Sequence, residues 1–194
     1  MMISRIFTVP NAIRVMLLVG VFALAGVIIQ SCQTPKTGLK RFAQASLSKL
    51  TVLESAPPRP TLRLKTLDGA AVKLSDMEVG ITLVNVWATW CAPCIAEMPS
   101  LDALQAARGS DKFRVVPISL DRTPEDAKLW LEKNGITHLK SLHDKDYAMP
   151  GLAKLPGLPT SIFYDANGRE LARIPGEVDW MSAEARALID ELTK

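Results

Sequence analysis

The chain has 194 residues, of which 48% are hydrophobic and 22% charged, which predicts one globular domain of about 140 residues with an N-terminal appendage. The net charge of +3 is uneven, because residues 1–55 hold six Lys or Arg and one Glu, whereas the remainder holds 17 basic and 19 acidic residues. A slightly acidic folded part without an arginine cluster argues against nucleic-acid binding, so we expect no nucleic acid among the partners.

An uncharged apolar run of 15 residues, 15–29, lies near the N-terminus. It is close to the minimum length for a spanning helix, so residues 1–35 are predicted to be a single membrane anchor or a signal segment. Two alternatives to a retained anchor stay open: a cleaved signal peptide, and a lipoprotein signal in which Cys32 is acylated. Basic residues flank the run on both sides, so the positive-inside rule hardly distinguishes the two orientations of the anchor. We favour export of the domain over an anchor whose domain faces the cytoplasm.

Residues 36–58 are predicted to form an amphipathic helix and a Pro-rich linker. Apolar residues recur between Leu39 and Leu53 with basic residues between them, a pattern that favours packing on the domain over binding to anionic lipid. Three prolines between Ser55 and Pro60 then indicate a linker. The folded domain is accordingly predicted to span residues 59–194.

Strands alternate with helices from there onward. Asp68-Gly69 predicts a β-hairpin, and a buried strand at 81–86 leads into a helix that ends near Arg108. The later predicted elements are a strand at 113–120, a helix from Thr123 to Gly135, a strand at 138–142, a short helix at 147–155, strands at 160–164 and 170–174, and a helix at 182–192 capped by Ser182. This order predicts an α/β fold with a central mixed β-sheet flanked by helices.

Residues 91–94 read Cys-Ala-Pro-Cys at the junction between the strand 81–86 and the following helix. A helix N-terminus stabilises a thiolate, and two thiols at this spacing can close a disulfide. Open α/β sheets place their sites at the carboxyl ends of strands, where this segment falls. The pattern predicts a redox site with Cys91 exposed and Cys94 facing it, and no cofactor other than their own disulfide.

Three other interpretations of the cysteine pair are disfavoured. A structural disulfide between residues so close in sequence would stabilise little, because loop closure rewards long loops. A zinc site would need a second pair of ligands besides the two cysteines. His138 and His143 do not form such a pair, so no metal is predicted. Attachment of c-type haem would need a histidine where Ile95 stands.

Three features of the sequence occur together: Trp87-Ala88-Thr89-Trp90-Cys91-Ala92-Pro93-Cys94, then Pro99 within the helix, and later Gly157-Leu158-Pro159-Thr160. Together they resemble the thioredoxin superfamily, and more closely the TlpA-like membrane-anchored thioredoxins of bacteria. The resemblance extends from about Leu39 to the C-terminus and includes the N-terminal β-hairpin and an extra helix-strand insertion at 123–143. It implies a thioredoxin-like fold.

The resemblance also implies roles for individual residues. Cys91 matches the nucleophile that attacks a substrate disulfide, and Cys94 matches the resolving thiol that releases the mixed disulfide. Pro159 matches the family's cis-proline, which faces the disulfide, and Leu158 would supply backbone groups for substrate pairing.

Residues around the pair complete the predicted site. Trp90, Ala92 and Pro93 are expected to contact the client. Many thioredoxins carry a buried aspartate behind the cysteines, and here Asn85 occupies the matching position. Glu97, one helical turn beyond Cys94, resembles a family-specific acid; we hypothesise that it shuttles the Cys94 proton and that partial burial raises its pKa. The alternative is an ordinary surface glutamate.

The resemblance implies a protein-disulfide reductase, a thiol-disulfide oxidoreductase tethered to the bacterial inner membrane with its domain in the periplasm. The implied partners are client proteins with disulfides, either cytochrome oxidase copper-site proteins or apocytochrome c, and a membrane thiol donor of the DsbD or CcdA type. A monomer is expected. The alternatives are a disulfide-donating oxidase, a copper-binding metallochaperone module and a non-catalytic interaction module.

Overall fold

The computed structural model describes residues 36–53, 57–77 and 80–194. Residues 36–194 belong to one compact unit. The predicted anchor or signal segment at 1–35 lies outside the described residues. Within the ranges just given, no helix combines the length and the apolar character needed to cross a membrane.

The described residues form an eight-stranded mixed sheet, which confirms the predicted fold class. Its strands in chain order are β1 (Thr51–Val52), β2 (Arg63–Thr66), β3 (Ala71–Lys73), β4 (Ile81–Trp87), β5 (Phe113–Ser119), β6 (Leu142–His143), β7 (Thr160–Asp165) and β8 (Glu170–Pro175). Across the sheet the order is β1-β8-β7-β4-β5-β6-β2-β3. The β4-β5 and β5-β6 pairs are parallel, whereas the other neighbours are antiparallel. Every residue of β4 is buried, as expected for a central strand covered on both faces.

The α-helices of the described region are α1 (Ala92–Arg108), α2 (Pro124–Lys133), α3 (Met149–Leu152) and α4 (Ala183–Leu192). The predicted starts of α2 and α4 are confirmed by their caps. Thr123 accepts a hydrogen bond from the Asp126 N–H, and Ser182 accepts one from the Ala185 N–H. Each cap satisfies a backbone donor that the first helical turn leaves without a partner.

The segment before the linker differs from the prediction. Instead of one amphipathic helix it forms two 3-10 helices, Lys36–Phe42 and Ala45–Leu47, followed by β1. Ala45 interrupts the segment with a left-handed backbone (φ 49°), a conformation that a continuing right-handed helix cannot include. Leu47 is fully buried and β1 pairs with β8, so the compact unit begins at Lys36 and not at the predicted boundary of residue 59.

The predicted strand at 138–142 is wrong over most of its length, because β6 contains only Leu142–His143. Pro117 directly precedes the two residues of β5 that pair with β6, and it has no N–H to donate to a neighbouring strand. His138 donates its backbone N–H to the Asp102 carboxylate on α1 (2.8 Å). Backbone pairing between β5 and this segment therefore begins only at Leu142.

Helix α3 is shorter than the predicted 147–155. Tyr147 (φ 53°) and Lys154 (φ 51°) have left-handed backbones on either side of it. Left-handed residues with side chains are uncommon and do not continue a right-handed helix. They confine α3 to a single turn.

Candidate active site

The cysteine segment connects the end of β4 to the start of α1. The Cys91 N–H donates to the Ala88 carbonyl (3.1 Å), which forms a tight turn, and the Ile95 N–H donates to the Cys91 carbonyl (3.1 Å). Cys91 is the N-cap residue and Pro93 lies in the first turn of α1, where a missing N–H costs little. The local sequence therefore holds the first cysteine at the positive end of the helix dipole.

The two cysteines are joined by a disulfide, with their Cα atoms 5.2 Å apart. Cys94 is completely buried, whereas 7% of Cys91 is exposed. Cys91 was predicted to be exposed, but in this disulfide-bonded state it is largely buried and is only the more accessible of the two residues. The difference in burial therefore agrees with the predicted order, in which Cys91 attacks and Cys94 resolves.

The peptide bond between Leu158 and Pro159 is cis, as the resemblance implied. Thr160, the next residue, pairs with Val86 near the carboxyl end of β4. Since the cysteine segment leaves the sheet directly after β4, Pro159 and the cysteines lie at the same end of the sheet. Pro159 is buried and its carbonyl accepts the Gly176 N–H (2.8 Å), while Leu158 is half-buried.

Three residues surround the first cysteine at the surface. Trp90 is 62% exposed, and Ala92 and Pro93 are exposed as well. An exposed tryptophan beside a nucleophile is an apolar surface available to a client. Their positions agree with the predicted client contacts, which stay a prediction.

Glu97 is 2% exposed, so it is not an ordinary surface glutamate. Its Oε1 accepts from Asn85 Nδ2 (2.6 Å), and its Oε2 accepts from the Val178 N–H (3.0 Å) and Trp180 Nε1 (3.3 Å). Burial raises the pKa of Glu97 to about 7, although these three hydrogen bonds oppose the shift. A carboxyl with such a pKa can take up and release a proton near neutral pH.

Asn85 connects β4 to this carboxyl. Its Nδ2 donates to Glu97 and also to Ser161 Oγ (2.9 Å) on β7, and it is fully buried. Because the Asn85 amide cannot ionise, Glu97 is the titratable member of this hydrogen-bonded pair.

Several residues of the site were missed in the sequence. Val178 and Trp180 follow β8 and contact Glu97, and no local pattern marks them. Asp121 accepts hydrogen bonds from Thr89 in the cysteine segment. Asp121 could have been predicted from the sequence, because an aspartate that closely follows a buried strand lies at the carboxyl end of that strand, where such sheets place their sites.

The two histidines make separate hydrogen bonds. His138 Nδ1 lies 2.9 Å from Asp102 Oδ2, and His143 Nε2 donates to the Asp121 carbonyl (2.8 Å). In the portion of the chain that the structure describes, no three His, Cys, Asp or Glu side chains are grouped so as to hold a metal ion.

Replacing Glu97 by Gln should remove a pH dependence of stability between about 4.5 and 7. The folded pKa of about 7 lies above the ordinary value of 4.5, so the folded state keeps a proton that the unfolded chain has released. This contribution is complete at low pH and is lost as the pH rises to about 7, a loss of about 3 kcal/mol in the wild type. Denaturant unfolding at acidic and alkaline pH measures it.

The exposed Glu177 provides the control, since it is also an acid near this site. Glu177→Gln should keep the pH dependence that Glu97→Gln loses. Equal pH dependence in the wild type and Glu97→Gln would contradict the assignment.

The chain is similar to known proteins in both sequence and fold. The model of the AhpC/TSA family matches residues 56–173. The thiol-disulfide oxidoreductase ResA of Oceanobacillus iheyensis is 34% identical over 113 residues, which cover 56% of this chain and 58% of the relative. The thiol:disulfide interchange protein HelX of Rhodobacter capsulatus is 32% identical over 120 residues, 60% of this chain and 65% of the relative. The matches thus span somewhat less than two thirds of these two relatives.

A solved structure gives the same result for the fold. The crystal structure of a putative thiol:disulfide interchange protein DsbE from Chlorobium tepidum superimposes with a TM-score of 0.65 and 27% identity, covering 73% of this chain and 99% of that one. The thioredoxin-like resemblance expected from the cysteine segment is confirmed. The chain belongs to the AhpC/TSA family and, within it, is a thioredoxin-like protein similar to the thiol-disulfide oxidoreductases of the ResA, HelX and DsbE type.

Proposed function

We propose that this protein is a membrane-tethered thiol-disulfide oxidoreductase that reduces disulfides of client proteins in the periplasm. The observation that carries the proposal is the cysteine pair at the N-terminus of α1, in which Cys91 keeps a small exposed fraction (7%) and Cys94 keeps none. A thiolate at that position is stabilised by the helix dipole and by backbone N–H groups. The uncharged run at 15–29 supports the tether, and the oxidising character of the periplasm explains the need for a dedicated reductant.

The reaction consists of two exchanges. The Cys91 thiolate attacks one sulfur of the client disulfide, so that a mixed disulfide forms and the first client thiolate leaves. The Cys94 thiolate then attacks the Cys91 sulfur, which closes the disulfide present in the structure and releases the second client thiolate. Two electrons pass to the client, and its two thiolates take up protons.

The other site residues support these two steps. Glu97 accepts the Cys94 proton when Cys94 attacks, because a buried carboxyl with a pKa of about 7 is near the optimum for proton exchange at neutral pH. Pro159 forms the wall opposite the disulfide, and Leu158 offers backbone groups to the client. Trp90 and the exposed Ala92-Pro93 turn contact the client around Cys91.

The partners follow from the family resemblance. A reductant in an oxidising compartment must be reduced again after each turnover, and a membrane thiol donor of the DsbD or CcdA type supplies the electrons. The clients are cytochrome oxidase copper-site proteins or apocytochrome c, both of which need reduced cysteines.

The reduction potential of the pair tests the direction of the reaction. We expect full-length protein equilibrated with glutathione buffers to give a potential more negative than about −200 mV. Alkylation of the free thiols followed by mass measurement reports the reduced fraction, and a Cys32→Ser background ensures that only Cys91 and Cys94 contribute. A potential of about −120 mV, that of DsbA, would assign a disulfide donor instead.

A further inference from the structure

Only part of the loop that presents the nucleophile packs in the core, because Ala88 and Cys91 are buried whereas the two residues between them are not. Trp90, directly before Cys91, is 62% exposed, and Thr89 is only partly buried. An exposed side chain gains little from apolar burial, so packing contributes little to the course of the chain at these two residues. A further contact there helps to set the direction in which this loop leaves β4.

That contact is the carboxylate of Asp121, which is 4% exposed and follows the end of β5. Its Oδ1 accepts from the Thr89 N–H (3.0 Å) and from Thr89 Oγ1 (2.7 Å). Its Oδ2 accepts from Ser119 Oγ (2.8 Å) and lies 3.3 Å from the Thr89 nitrogen. A buried carboxylate with three donors is satisfied, whereas removing it would leave the Thr89 donors without partners.

Asp121 is itself fixed to the sheet from both sides. Its N–H donates to Ser119 Oγ (3.0 Å), and its carbonyl accepts from His143 Nε2 (2.8 Å) on β6. The Asp144 N–H donates to the Ser119 carbonyl (3.0 Å). The carboxylate therefore connects β5 and β6 to Thr89, which lies two residues before Cys91.

We propose that Asp121 is a positioning residue for thiol exchange: by holding both donors of Thr89, it fixes the loop so that Cys91 and Trp90 face an incoming disulfide. This inference rests on the proposed function, in which Cys91 is the attacking thiol. Small displacements of a reacting group can cost large factors in rate. Asp121 therefore acts mainly on the attack by Cys91, because that step must align the loop with an external disulfide, whereas the later attack by Cys94 joins two residues already held together at the start of α1.

The reaction of the reduced full-length protein with excess dithiobis-nitrobenzoate reports these two steps in a Cys32→Ser background, and the same reaction in a Cys32→Ser/Cys94→Ser background, which stops after one release, measures the first step alone. Attack by Cys91 releases one coloured thiolate, and attack by Cys94 on the Cys91 mixed disulfide releases the second. We expect Asp121→Ala and Thr89→Val each to slow the first phase about tenfold, with the second phase much less affected. The double variant should be no slower than either single variant, since both remove one interaction.

Two further variants separate positioning from general stability. Thr89→Ser keeps both donors and should restore a rate close to that of the wild type. Asp126→Ala removes the same kind of Asp-Thr contact, between Asp126 Oδ2 and Thr123 Oγ1 (2.8 Å), at the exposed cap of α2, and should leave both phases unchanged.

An unchanged first phase in Thr89→Val would overturn the proposal, as would equal slowing of both phases. If Asp121→Ala fails to fold, the near-isosteric Thr89→Val and its Thr89→Ser counterpart decide the matter. The proposed function fails separately, if Cys91→Ser still releases the thiolate at the rate of the wild type.

Discussion

A Cys94→Ser variant should accumulate mixed disulfides with client proteins in cells, all of them formed through Cys91. The first exchange needs only Cys91, the more accessible of the two residues, whereas the fully buried Cys94 performs the second. An intramolecular thiol acts with an effective concentration of about 10⁵ M or more, so its loss should lengthen the life of the mixed disulfide by several orders of magnitude. Electrophoresis without reductant, followed by mass spectrometry of the adducts, identifies the clients.

Two controls make this result specific. A Cys91→Ser variant in a Cys32→Ser background keeps only Cys94 and should form no adducts, and Cys32→Ser combined with Cys94→Ser should form the same ones as Cys94→Ser alone. Adducts formed by the Cys91→Ser/Cys32→Ser variant would contradict the assignment of Cys91 as nucleophile. Adducts with copper-site proteins or with apocytochrome c would decide between the two proposed client classes.

Short sequence patterns were sufficient to predict the elements that depend on neighbouring residues alone. Asp68-Gly69 predicted the hairpin of β2 and β3, and in the structure Gly69 has the positive φ (91°) that such a turn requires. The buried strand followed by Cys-Ala-Pro-Cys predicted the junction of β4 and α1. Pro159 was different, because its cis bond was expected from family resemblance and could not be derived from composition.

Elements that depend on distant partners were not predictable in the same way. The apolar spacing of 36–53 suits a helix, yet its last residues pair with β8, more than a hundred residues later. The surroundings of Glu97 show the same limit, since its partners Val178 and Trp180 lie 81 and 83 residues away along the chain. The sequence predicted an acid near the cysteines, but only the fold reveals how completely it is enclosed.

Replacing Glu97 by Gln should slow the second phase of the reaction with dithiobis-nitrobenzoate about a hundredfold at neutral pH and leave the first phase nearly unchanged. Gln retains the shape and most of the hydrogen bonds of the site but cannot accept the Cys94 proton. In the wild type, the rate of the second phase should rise with pH through about 7, because only the ionised Glu97 can act as a base. Stopped-flow measurement across this pH range in a Cys32→Ser background gives both rates.

The two phases also distinguish proton transfer from disturbed packing. Loss of Glu97 as a base removes the inflection near pH 7 from the second phase only, whereas a displaced α1 would move both cysteines and slow both phases. Glu177→Gln removes an exposed acid that raises the pKa of Glu97, so it should shift the inflection slightly downward without abolishing it. If the second phase of Glu97→Gln kept the wild-type pH profile, Glu97 would be only a structural acceptor for Asn85, Val178 and Trp180.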